Sequence, residues 1–134
     1  ADGSTVAVAW FSAPDDVARV KVAFSDDGGA TFGVPKVVDD GLPMGRVGLV
    51  LTSDGGAIVS WLEGGGGQGA EVRIRHVASD GSSSVSAPVT SSSAERASGF
   101  PQLVKTLDGS LVVSWTDAGA EEARVRVARI ETSY

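Results

Sequence analysis

The stretch SDGGAIVSWLEG, residues 53–64, sets the architecture of this chain. Asp54-Gly55 is a hairpin signal, because both central positions of such a dipeptide tolerate positive φ. Behind it, Ala57 to Trp61 is a short apolar and β-branched run that ends in a glycine-rich tract, the pattern of a strand between two connections. The same pattern stands twice more. ADGSTVAVAW (residues 1–10) and LDGSLVVSW (residues 107–115) carry a D-G turn followed by a strand closing on tryptophan, and the three tryptophans lie 51 and 54 residues apart. Self-similarity at this period points to structural units placed in series.

Outward from each tryptophan the echo continues. After a polar or glycine-rich loop come ARVKVAF (18–24), EVRIRHV (71–77) and ARVRVARI (123–130), in which Val20, Val72 and Val125 align. Before the second and third D-G turns stand GRVGLVLT (45–52) and GFPQLVKT (99–106). VPKVVDD (34–40) and SAPVTS (86–91) are short runs with a proline near the start, suited to a sheet edge. One unit is therefore four antiparallel strands, A to D, with no helical segment. Such units at this period read as β-propeller blades; a β-sandwich could use the same hairpins but would not need the echo. The expected organisation is a partial blade of strands B, C and D over 1–40, a full blade over 41–92, and a partial blade of A, B and C over 93–134. About two and a half blades fall short of a ring, so the chain is expected to be part of a longer propeller or one component of an assembled ring.

Composition narrows the function classes. The 134 residues suit one domain, with 42% hydrophobic and 21% charged residues, a globular balance. A net charge of −6 with no basic stripe argues against a nucleic-acid partner. The chain has no cysteine, which removes disulfides, thiolate metal sites and a cysteine nucleophile. No apolar run approaches a membrane span, and the ADGSTV start is not a leader.

The turn SDDGGATFG, Ser25 to Gly33, carries Ser25-x-Asp27-x-Gly29-x-Thr31-Phe32 between a C and a D strand. It resembles the Asp box, S/T-x-D-x-G-x-T-W/F, of the sialidase-like propeller family, also called the bacterial neuraminidase repeat. The corresponding turn Val77-x-Ser79-x-Gly81-x-Ser83 keeps only the glycine and a hydroxyl residue. The resemblance implies a structural role on the rim for Ser25, Asp27, Gly29, Thr31 and Phe32, with Asp27 accepting backbone hydrogen bonds. It also implies a secreted or periplasmic protein.

In such propellers the B–C and D–A loops share the face that carries any site. Here that places Arg46, Glu63, Arg96 and Asp117 as candidate loop-face residues. The family's catalytic apparatus of three arginines, an Asp acid/base and a Tyr–Glu pair is not recognisable: the R-I-P motif is absent and the only tyrosine is Tyr134. The expected function is thus a non-catalytic module that binds a glycan or protein partner, the alternative being part of an exo-sialidase-type glycoside hydrolase. No cofactor, metal or membrane partner is expected. His76 stands without a carboxylate at ligand spacing. GGGGQG (64–69) lacks the Lys-Ser/Thr of a phosphate loop. The tryptophans read as core, and Arg73, Arg75, Arg124 and Arg126 as the solvent side of outer strands.

Overall fold

The computed structural model of the chain describes residues 1–65, 69–93, 100–117 and 122–131. Among the described residues ten strands make three antiparallel sheets and no α-helix occurs. Sheet 1 holds β1 (Val6–Ser12), β2 (Arg19–Ser25) and β3 (Lys36–Val37), in chain order. Sheet 2 is β4 (Gly48–Leu51), β5 (Ala57–Gly64), β6 (Gly69–Val77) and β7 (Ala87–Ser93). Sheet 3 is β8 (Gln102–Lys105), β9 (Leu111–Asp117) and β10 (Arg124–Ile130). Within each sheet neighbours in sequence are neighbours in space, as hairpin connections dictate. Strand β4 also touches both β1 and β8, so the three sheets meet through it.

The D-G turns differ from expectation in type. Gly55 and Gly109 have φ of 79° and 87°, whereas Asp54 and Asp108 keep ordinary negative φ. In each, the glycine N–H bonds back three residues, Gly55 to the Thr52 carbonyl and Gly109 to that of Thr106. The aspartate then accepts from the residue after the glycine, Gly56 N–H at 3.1 Å and Ser110 N–H at 3.1 Å. Asp80-Gly81 repeats this, with Asp80 accepting from Ser82 N–H at 2.7 Å. These are turns with a left-handed glycine after the aspartate, not turns in which both residues take positive φ.

The main core lies between sheets 1 and 2. Val20, Val22 and Val38 pack with Val59, Trp61 and Val77, flanked by Ala9, Phe24, Val47 and Leu49. On the opposite face of sheet 2, Leu62, Ala70 and Val72 are buried with Val89 beside them. Trp61 is fully buried, while Trp10 and Trp115 are half-buried. Fully burying a side chain of this size stabilises by about 1.5–3 kcal/mol or more.

Two readings of strand β6 need correction. Arg73 and Arg75 are not on a solvent face. Their register partners are Trp61 and Val59, so they sit on the face turned to sheet 1. There Asp40 takes Arg75 Nη2 at 2.6 Å and Arg73 Nε at 2.9 Å, and Arg75 also donates to the Val38 carbonyl. His76 is not without a carboxylate either, for Asp54 Oδ2 lies 3.1 Å from its Nε2. Strand spacing fixes only which face a residue occupies; the neighbouring sheet decides what that face meets.

Candidate functional site

Hairpins alternate ends, so the A–B and C–D turns lie at one end of the sheets and the B–C and D–A connections at the other. Both ends show in the surface hollows. One hollow is lined by Ser25, Thr31, Phe32, Gly55 and Asp80, all turn residues. The opposite end carries a groove of about 590 Å³ lined by Phe11, Met44, Gly45, Arg46, Val47 and Phe100. A second hollow beside it shares Met44 and adds Asp16, Arg19, Leu42 and Pro43.

The turn end is closed by its own side chains. Ser25 Oγ donates to Asp27 Oδ1 at 2.7 Å and accepts from Gly29 N–H at 2.9 Å. Asp27 accepts from Thr31 N–H at 2.9 Å and from Thr31 Oγ1 at 2.6 Å. These bonds, the Thr31 hydroxyl first, hold the Asp27 carboxyl far below the usual range. Gly28 and Gly29 take φ of 73° and 91°, which lets the loop double back. Phe32 is half exposed and its ring passes close to Gly29. Ser25, Asp27 and Thr31 thus bond to one another and to the loop's own backbone, although Asp27 itself is exposed.

The groove end is built by the connection from β3 to β4. Residues 42–45 run beside the end of β5: Gly64 N–H donates to the Leu42 carbonyl, Met44 N–H to that of Leu62, and Leu62 N–H to that of Gly45. Glu63 pins this segment. Its carboxylate accepts from Leu42 N–H at 2.6 Å, from Asp40 N–H at 3.4 Å and from the buried Trp61 Nε1–H at 2.5 Å. Asp39, also buried, accepts from Val20 N–H at 2.8 Å and Gly41 N–H at 3.0 Å. Gly45 has φ of 82°, a left-handed conformation that favours glycine, and the Phe11 ring lies over it, at ordinary contact distance (3.4 Å) from where a Cβ would stand.

Arg46 follows with φ of 58°, a left-handed conformation that costs a non-glycine residue about 1–3 kcal/mol. Its guanidinium lies 5.9 Å from the Phe100 ring centroid, within cation–π range. Among the described residues the only other non-glycine positive φ values are those of Asp15 and Asp16, at 51° and 60°, in the short 3-10 turn Pro14–Asp16 of the same end. Phe100 is 69% exposed, and Phe11, Leu42 and Met44 are also exposed. Among the described residues the result is an open apolar trough with one guanidinium, that of Arg46, at its wall.

Of the loop-face residues expected from sequence, Arg46 lines the groove. Glu63 does not: only 7% of it is exposed, and its oxygens are occupied by the groove's own backbone and by Trp61. Asp117 ends β9 in sheet 3, paired with Arg126 Nε at 2.6 Å. Arg96, Tyr134, the middle of GGGGQG and residues 94–99 and 118–121 lie outside the described residues. Sequence pattern missed Phe11, Met44 and Phe100. The available signals were Phe11 continuing an apolar run past Trp10, and the Pro and Gly neighbours that fix Met44 and Phe100 in extended connections. Among the described residues no three His, Asp or Glu side chains are grouped to hold a metal ion.

Searches of protein-family models, of curated proteins and of solved structures found no match to the chain.

Proposed function

We propose that the chain is a segment of a sialidase-like propeller, with each sheet a blade, serving as a non-catalytic binding module. The four-strand order of sheet 2, the contact of β4 with both β1 and β8, and the self-closed Ser25–Phe32 turn support the architecture. The observation that carries the function is the trough of Phe11, Met44, Arg46 and Phe100, left exposed on the loop end. Exposed aromatic and methionine side chains beside an arginine match the composition of protein-binding anchors. A sugar would call for polar groups that fix its hydroxyls. Among the described residues the groove lining itself offers Arg46 as its one charged side chain, Glu63 and Asp39 already serve the backbone, and Asp16 and Arg19 line the adjoining hollow. A protein partner with an apolar side chain next to a carboxylate is therefore favoured over a glycan. The resemblance adds export from the cytoplasm to this reading.

Panning a displayed peptide library on the chain tests it. Binders rich in apolar residues flanked by Asp or Glu are expected, with affinity at least about tenfold lower for Phe100→Ala and Arg46→Ala. Binders indifferent to both substitutions would refute the groove as the site. Turnover of a fluorogenic sialoside that disappears in Arg46→Ala would replace this function with an exo-sialidase.

A further inference from the structure

Sulfur occurs once in these 134 residues, in Met44, since the chain has no cysteine. Met44 lines both the groove and the hollow beside it. The backbone fixes it there. Its N–H donates to the Leu62 carbonyl at 2.7 Å, and Leu62 N–H donates to the Gly45 carbonyl at 2.9 Å, so this part of the connection is tied to β5. The sulfur lies over Gly64, 3.7 Å from where a Cβ of that residue would stand. The side chain is 42% exposed and belongs to neither core cluster.

A thioether in this place combines two properties. It is apolar and polarizable, so it packs readily against an apolar partner. It is also open to peroxides, which convert it into a polar sulfoxide. In a core that conversion breaks packing and with it the fold. Here the bonds that hold residues 42–45 run between backbone groups and to the Glu63 carboxylate, and none involves sulfur.

We propose that Met44 is a site of reversible oxidation by peroxides, and that its sulfoxide closes the groove to an apolar partner while leaving the fold intact. The inference rests on the groove being the binding site. In the oxidation a sulfur lone pair attacks one peroxide oxygen and the O–O bond breaks. That oxygen stays on sulfur; the other leaves as hydroxide and takes up the proton of the first to become water. Sulfur loses two electrons and the peroxide gains them. Methionine sulfoxide reductases reverse the step with a dithiol, which closes to a disulfide as the sulfoxide oxygen leaves in water. An apolar side chain seated on the sulfoxide strips water from the S–O dipole and supplies no donor in return. Binding is therefore expected to weaken at least about tenfold.

Dilute hydrogen peroxide tests it, with intact mass, urea unfolding and binding of a panned peptide measured before and after. One oxygen atom, about 16 Da, is expected to add at Met44. The unfolding midpoint is expected to stay unchanged while peptide affinity falls, and the reductases are expected to restore the affinity. Met44→Leu, whatever its own affinity, is expected to bind equally before and after peroxide. A sulfur that oxidises only when urea unfolds the chain overturns the proposal. So does a loss of stability that accompanies the loss of binding, and so does a Met44→Leu chain that peroxide still weakens. Peptides that respond to Phe100→Ala but ignore Met44 oxidation refute this inference alone. Panning that yields no peptide, or only peptides indifferent to Phe100→Ala, refutes the groove as the site and this inference with it.

Discussion

Replacing Glu63 by alanine removes the acceptor for three donors at once, the Trp61 indole N–H, Leu42 N–H and, more weakly at 3.4 Å, Asp40 N–H. The indole belongs to a fully buried side chain, and Glu63 is itself buried. A buried donor left unsatisfied costs about 1–3 kcal/mol. Two strong donors therefore set an expected loss of about 2–6 kcal/mol, a large share of the 5–15 kcal/mol typical of a domain. Urea unfolding followed by tryptophan fluorescence measures it, with the slope m checked for constancy.

Because alanine also removes packing, a double-mutant cycle with Trp61→Phe isolates the indole bond. In the phenylalanine background the Glu63→Ala loss is expected to shrink by about 1–3 kcal/mol, as no indole N–H remains to be orphaned. A Glu63→Ala chain that loses less than about 1 kcal/mol would refute the reasoning, because the network would then be dispensable. Additivity of the two substitutions would refute the indole contact alone. Retained stability together with lost ligand binding would return Glu63 to the set of ligand-contacting groups.

Three further outcomes follow from the charges. Asp40→Ala removes the carboxylate that Arg73 and Arg75 share between sheets 1 and 2, leaving Arg73 with Glu71 and Arg75 with the Val38 carbonyl, and is expected to cost about 1–3 kcal/mol in urea unfolding, short of the cost of a fully buried pair. By contrast Arg129→Ala, which breaks an exposed pair with Asp108, is expected to change unfolding by less than about 1 kcal/mol. The Thr106 hydroxyl, then Ser110 N–H, hold Asp108 down at about 2. A carboxyl depressed in the folded state contributes stability above its ordinary pKa and loses it as pH falls toward the folded value. Thermal midpoints are thus expected to drop between about pH 4 and pH 2, less steeply in Asp108→Asn, and an identical slope in both would contradict the turn geometry.

The strands were legible because their evidence is local. Alternation, D-G punctuation and the tryptophan echo each depend on residues adjacent in sequence, and hairpin connectivity then leaves one strand order per sheet. The turn type was not legible: Asp-Gly is compatible with two hairpins, and the choice rests on whether aspartate itself must go left-handed. Arg73 and Arg75 misled for a different reason. Alternation puts them on the face opposite Leu62 and Val72, but polar residues on a strand suggest water only when no second sheet supplies a carboxylate. Asp40, 33 residues before Arg73, supplies it. The groove was half legible. Arg46 was identifiable as a loop-end cation, but Phe11 and Phe100 come from different sheets and converge only after β1 and β8 flank β4.

The same contacts explain why the shape of the groove and the stability of the core go together. The trough is held from below by Glu63 and Asp39, both anchored on strands β5 and β2 that sit in the sheet 1–sheet 2 core. Charges at the Glu63 network thus govern groove geometry and global stability together.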